Sequence, residues 1–190
     1  MAEELVSLRG GECVRIRPVT ADDRRLLLSG FARFGERSRH QRFFGVKVKL
    51  TEAELTFFTE VDHHDHEALV AIDERTGAGV GIARFIRLHP RGPVAEAAVS
   101  VVDDWQGRGV ARALLQALVR RAHEEGVERF QATLLRANRA MLEAFRRIGV
   151  VEVTRRDLEE LEICVELPVS EVARVVEGAH GPRLLEDHQL

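Results

Sequence analysis

Residues Gln106-Gly107-Arg108-Gly109-Val110-Ala111 have the make-up of an anion-binding turn. Two glycines one residue apart let a backbone turn tightly and approach a ligand with no Cβ in the way. An apolar, strand-like stretch ends just before them at Val102, and Asp103, Asp104 and Trp105 form the connection. A long helix-like segment follows. The free N–H groups of its first turn converge on one point, where the helix dipole adds positive potential. Phosphate or pyrophosphate is the natural occupant, and Arg108 would add a full positive charge beside it. The run is not a dinucleotide fingerprint, because a third glycine and an opening βαβ unit are missing. Nor is it a P-loop, because no Gly-Lys-Ser/Thr follows.

Glu96 is the second residue of chemical interest. It stands in the middle of an alternating strand between Val94 and Ala98 on one face, where a carboxylate is out of place. Burial beside apolar neighbours would raise its pKa towards the range of a general base. The alternatives are a solvated carboxylate, or one paired with Arg84 or Arg87. His63, His64 and His66, with Asp62 and Asp65, invite a metal reading. Their spacing is not a helical pair and no Cys joins them, so the expectation is a solvated loop or acceptor contacts, and no metal. Arg37, Arg39 and Arg42 around Ser38 are either solvated charges, the lining of a cleft for the acceptor, or contacts to the phosphates of the ligand. Trp105 reads as a packing residue of the loop.

These groups need a scaffold. Cys13 to Val19 alternates as a strand. Thr20 caps a helix carrying Leu26, Leu27, Phe31 and Phe34. Residues 38–44 suggest a short helix or turn ending at Gly45, and Thr51-Glu52-Ala53-Glu54 is a capping box that opens another. Residues 68–72 and 80–88 form a hairpin through Gly77 to Gly79, and 94–102 is a third central strand. Helix 109–124 has an apolar i, i+4 stripe, and Gly126 ends it. A strand at 129–135 precedes a helix capped by Asn138 with Met141, Leu142 and Phe145. Strands at 150–154 and 161–167 follow. The order suits an α/β fold with a mixed central sheet and helices on both faces. Residues 1–11 read as a loose lead-in, 12–167 as one domain, and 168–190 as a tail with a possible short helix at 170–177.

The composition agrees. A chain of 190 residues, 45% apolar and 31% charged, suits one domain with one sizeable core. A net charge of −3 argues against general nucleic-acid or membrane-surface binding. No apolar run reaches the length of a membrane span. The acidic start lacks the features of a signal peptide, and two cysteines far apart suggest neither a disulfide framework nor a metal knuckle. A reducing cytoplasm is the expectation. Oligomeric state is not readable.

Gln106-x-x-Gly109-x-Ala111 between a strand and a helix resembles the coenzyme A pyrophosphate loop of the GNAT-family N-acetyltransferases. Phe43-Phe44-Gly45, the capped stretch 50–55, Phe58-Thr59, Val61-Asp62 and Ala95-Glu96 look most like the catalytic domain of bacterial protein lysine acetyltransferases of the mycobacterial type. The resemblance covers about residues 12–167. It implies the GNAT acyl-CoA N-acyltransferase fold, acetyl-CoA as cosubstrate, and direct attack by an acceptor amine, most simply a protein lysine. A small-molecule amine acceptor, or a non-catalytic acyl-CoA-binding regulatory module, are the alternatives.

The resemblance also implies roles for single residues. Backbone groups around Val101 would hold the pantetheine arm and polarise the thioester carbonyl. Gln106, Gly107, Arg108, Gly109, Val110 and Ala111 would hold the pyrophosphate, Asn138 and Phe145 would lie on a second coenzyme-binding helix, and Glu96 would be the base. Many family members place a Tyr where Phe145 stands, as the acid for the departing thiolate. This chain has no Tyr, so that acid is absent or replaced. Cys164 could replace it, or be a core thiol.

Overall fold

The computed structural model describes residues 3–43 and 48–168. Eight strands form one mixed sheet in the order β1-β2-β3-β4-β5-β6-β8-β7. They are β1 (Glu4–Ser7), β2 (Cys13–Pro18), β3 (His66–Asp73), β4 (Gly79–Arg87), β5 (Val94–Val101), β6 (Arg129–Leu135), β7 (Val150–Arg156) and β8 (Glu160–Glu166). Among the described residues five helices accompany them: α1 (Arg24–Ala32), α2 (Glu36–Phe43), α3 (Glu52–Thr59), α4 (Val110–Glu124) and α5 (Arg139–Arg146). All pairings are antiparallel except β5 with β6. This is the mixed α/β sheet with helices on both faces that the strand and helix order suggests.

Alternation sorts the strands into two faces. Leu69 and Ala71 of β3, with Ala83 and Phe85 of β4, join the larger core with Leu114, Leu115 and Leu118 of α4 and Phe145 of α5. Ala68, Val70 and Ile82 pack on the opposite face with Val19 and Leu26. Gly81 lets α4 sit close: a Cβ there would come within 2.9 Å of Leu114 and 3.1 Å of the Ser100 carbonyl.

Glu67 is fully buried among the apolar residues of β3, and α4 answers it. Arg121 Nε donates to Glu67 Oε2 at 2.6 Å, and His63 Nδ1 lies 2.7 Å from Glu67 Oε1. Burial works against the charge of Arg121. The carboxylates of Glu67, Glu124 and Glu125 outweigh it and hold the guanidinium above its ordinary pKa.

The lead-in 1–11 needs correction: Glu4–Ser7 is a strand, paired antiparallel with β2 from Glu4↔Ile16 to Ser7↔Cys13. Its four residues form a sheet edge with Leu5 62% exposed, so the ladder to β2 supports it more than any apolar face. Nothing in its local pattern announces that. The possible helix at 170–177 lies outside the described residues, as do Phe44 and Gly45. The Thr20 cap first makes a 3-10 turn, Ala21–Asp23, and α1 follows. Thr51 and Glu54 form the capping box of α3.

Candidate active site

The site begins where the sheet splits. β5 pairs with β6 at only three positions, Val94↔Arg129, Ala95↔Phe130 and Glu96↔Gln131. Beyond them β5 stays with β4 as far as Val101↔Gly81, while β6 follows β8 to Leu135↔Glu160. The two parallel strands therefore diverge after Glu96. The cleft between them is lined by 97–101 on one side and Thr133 and Leu134 on the other. Asn138 at the N-cap of α5, Met141 and Phe145 within it, and Phe34, Ser38 and Arg42 also line its wall. From Ala97 onward the β5 edge faces this cleft and not a neighbouring strand, so its peptide groups are available to a polar, extended ligand.

The glycine loop stands at the wide end. Asp103–Trp105 make a 3-10 turn, Gly107 and Gly109 have φ of +74° and +100°, and α4 starts at Val110. Only glycine takes such angles without strain. The first turn of α4 has no side-chain cap, and its backbone ladder begins with Ala113 N to Gly109 O. The N–H groups of Val110, Ala111 and Arg112 therefore have no acceptor inside the helix. A Cβ at Gly107 or Gly109 would meet nothing within 4 Å, so the loop fronts open space. Gln106 Nε2 is shared between the Val101 carbonyl (3.2 Å), Asp103 Oδ1 (3.3 Å) and Ser38 Oγ (3.0 Å).

Arg108 departs from its expected place. Its Nη1 donates to Glu12 Oε1 at 2.6 Å and its Cζ lies 5.2 Å from the Trp105 ring centroid. It lines a separate hollow with Gly10, Gly11 and Glu12. Arg9, Arg112 and Arg147 line the cavity over the glycine loop instead. They come from three different parts of the chain, so no local motif joins them. Only Arg112, in the first turn of α4, was within reach of a sequence argument. Trp105 is buried and packs in the core. Asn138 Oδ1 accepts from Met141 N at 3.2 Å and so caps α5, while the residue still lines the cleft. Phe145 is buried in the cleft wall.

Glu96 sits at the vertex, as the last β5 residue paired with β6. Its side chain is exposed. That corrects the expectation of burial: the β5 side chains facing the large core are Ala95, Ala97, Val99 and Val101, while Glu96 takes the other face, at the cleft. Neither arginine proposed as its partner pairs with it. Arg87 holds Asp65 at 3.1 Å, and Arg84 meets His66 and Phe58. The cation beside Glu96 is Arg42, whose guanidinium burial holds below its ordinary pKa while the Glu96 charge works the other way. Of the three arginines around Ser38, only Arg42 lines the cleft; Arg39 lies 4.8 Å from the Phe31 ring centroid and Arg37 is exposed.

The histidines disperse. His63 meets Glu67, His64 Nδ1 lies 3.0 Å from Glu125, and His66 lies against Phe57 with the rings tilted, beside Arg84. No group of three or more His, Cys, Asp or Glu among the described residues could hold a metal ion. Cys164 lies on β8 opposite Gln131, with burial raising its thiol pKa, and it is not part of the cleft wall.

Residues 14–151 match the family model described as an acetyltransferase (GNAT) domain. The chain is 37% identical over 163 residues to acetyltransferase Pat of Mycolicibacterium smegmatis, covering 86% of this chain and 48% of that protein. It thus spans about half the length of that relative. It is 31% identical over 147 residues to an acetyltransferase of Pseudomonas aeruginosa, covering 76% and 78%. Among solved structures, the GNAT domain of S. lividans PAT superposes with a TM-score of 0.80 at 32% identity, covering 87% of this chain and 97% of that one. The cAMP-binding acyltransferase from Mycobacterium smegmatis gives 0.61 at 30% identity, covering 93% and 52%.

Proposed function

The chain belongs to the GNAT acetyltransferase family, and on that premise we propose that it transfers the acetyl group of acetyl-CoA to the amine of a protein lysine. The observation that carries this reading is the split between β5 and β6, with a carboxylate at its vertex and a glycine-opened helix N-terminus at its wide end. The coenzyme pyrophosphate rests on the N–H groups that start α4, with Arg9, Arg112 and Arg147 near, since a helix N-terminus and cations both favour anions. The pantetheine arm runs along the free edge of β5, and backbone N–H groups near Val101 polarise the thioester carbonyl. Asn138 and Phe145 support the coenzyme from α5.

The lysine arrives as an ammonium and must lose a proton before attack, because its unperturbed pKa is about 10.4. Glu96 takes that proton, through a water molecule. The neutral amine attacks the carbonyl carbon, the adduct nitrogen gives its second proton to solvent as the tetrahedral intermediate collapses, the carbon–sulfur bond breaks, and the thiolate leaves. Phe145 cannot protonate it, and solvent does so, which thiolate basicity permits near neutral pH. No cysteine lies in the cleft wall, in keeping with direct attack and not an acyl-enzyme. Two free cysteines suit a reducing cytoplasm, and no helix among the described residues is long and apolar enough to cross a membrane.

A small-amine acceptor is the second reading, favoured by the apolar cavity beneath α1 that adjoins the cleft. Incubation with labelled acetyl-CoA and a cell lysate separates the readings. Label on protein lysines is the expected outcome. Label confined to small amines would replace the lysine acceptor, and tight coenzyme binding with no transfer would leave a regulatory acyl-CoA-binding module.

A further inference from the structure

Arg84 stands in the middle of β4 with 5% of its surface exposed. Its register partner is Ala98, and it lies on the sheet face that carries Ile82 and meets Phe58 of α3. A buried guanidinium is ordinarily held by a carboxylate. Among the described residues Arg84 has none. Its Nη1 donates to His66 Nε2 at 3.3 Å, and its Cζ lies 4.3 Å from the Phe58 ring centroid. A guanidinium carries five N–H donors, and one imidazole satisfies few of them. His66 does not bring a charge of its own, because burial and Arg84 hold its pKa down to about 4. Burial and the like charge of Arg42 pull Arg84 down to about 9, which leaves it charged at neutral pH.

The surroundings say what would complete this group. Arg84 lines the cavity beneath α1 together with Leu26, Phe31, Phe34 and Phe58. Arg42 belongs to the wall of both that cavity and the cleft, so the two adjoin there. The β4–β5 register sets Arg84 opposite Ala98 and Ile86 opposite Glu96. Arg84 and Glu96 are therefore diagonal neighbours on one face, with backbones about 7–8 Å apart.

We propose that Arg84 is an acceptor-recognition residue, binding a carboxylate that the acceptor carries close to its reactive amine. The inference rests on the reading of the cleft as the site of acetyl transfer. An acceptor with its amine at Glu96 brings its own carboxylate towards Arg84, where a desolvated, bidentate pair replaces an uncompensated buried charge. An acidic side chain next to the target lysine and the α-carboxylate of a free amino acid offer the same chemistry.

Steady-state kinetics on matched acceptors tests it. One pair is a lysine peptide with Glu beside the lysine against the same peptide with Gln. The other is Nα-acetyl-lysine against N-acetylcadaverine, which lacks the carboxylate. In at least one pair kcat/KM should be about tenfold or more higher for the carboxylate, as a charge-assisted hydrogen bond to a buried group implies. A preference in the first pair marks an acidic side chain, and in the second an α-carboxylate. Arg84→Met should abolish the preference, with turnover of the neutral acceptor and coenzyme affinity within about threefold. Its Tm should stay equal or rise, because a buried charge without a carboxylate is removed; Arg84→Lys, which keeps the charge, should keep part of the preference. Equal kcat/KM in both pairs, or a preference that survives Arg84→Met, would overturn the proposal. If no lysine acceptor reacts, the transfer reading fails by itself and calorimetry with glutarate decides the anion site. Binding lost in Arg84→Met then supports it, and no binding to the unaltered protein overturns it.

Discussion

The side-chain amide of Gln106 donates to the hydroxyl of Ser38 at 3.0 Å, across 68 residues of sequence. Two more bonds run beside it: Gly35 N donates to Asp103 Oδ2 at 3.0 Å, and Arg33 Nη2 to Asp104 Oδ2 at 2.6 Å. The region of Arg33 to Ser38 is thus tied to the turn that leads into the glycine loop. On the proposed function, this predicts coupling between the acceptor and coenzyme sites. Ser38→Ala and Gln106→Ala should each weaken coenzyme binding by about threefold to tenfold, the value of one hydrogen bond. The double variant should fall short of their sum. A calorimetric double-mutant cycle measures this, and additive effects would show that the contact does not couple the sites.

Gly109→Val should reduce coenzyme affinity by about tenfold or more. Gly109 has φ of +100° with open space over its Cα, so a β-branched residue meets backbone strain of about 1–3 kcal/mol and stands in the way of an anion. Near-UV circular dichroism confirms folding and titration with coenzyme A gives the affinity. A folded variant with unchanged affinity would remove the glycine loop as the pyrophosphate site.

Glu96→Gln keeps shape and removes basicity. Turnover should fall by about a hundredfold or more, the usual range for one acid–base group, with coenzyme affinity nearly unchanged. The acidic limb of the pH–rate profile should disappear. Near-normal turnover would reject Glu96 as the base and turn attention to the other groups of the cleft.

Acid should weaken the fold through His66. Its folded pKa is lowered to about 4 by burial first and by Arg84 second, against about 6.5 in an unfolded chain. Between these values the unfolded chain holds a proton that the folded one refuses, so stability rises with pH across the window. The contribution is complete above about pH 6.5 and is lost as pH falls towards 4. His66→Gln should flatten the urea midpoint between those limits. A midpoint with the same pH slope in the variant would assign the acid sensitivity elsewhere.

Local chemistry made much of this protein legible from its residues alone. The strand, glycine turn and helix at 94–124 follow from alternation, two glycines and an apolar i, i+4 stripe, each of which acts within a few residues of itself. The same holds for the Thr51 capping box and for Asn138 at the start of α5. A carboxylate in the middle of a strand was likewise visible at Glu96. Its exposure was not, because burial depends on which neighbours the sheet brings to each face, and at this point one neighbour, β6, turns away. The charge of Arg108 went to Glu12 and its expected place went to Arg9, Arg112 and Arg147 for a related reason. Long, flexible cations choose partners by proximity in space, which spacing along the chain does not encode. Arg84 is the sharpest case. In sequence it was at most a partner for Glu96, and only the packing of α1 and α3 over β4 makes it a buried charge with no carboxylate among the described residues.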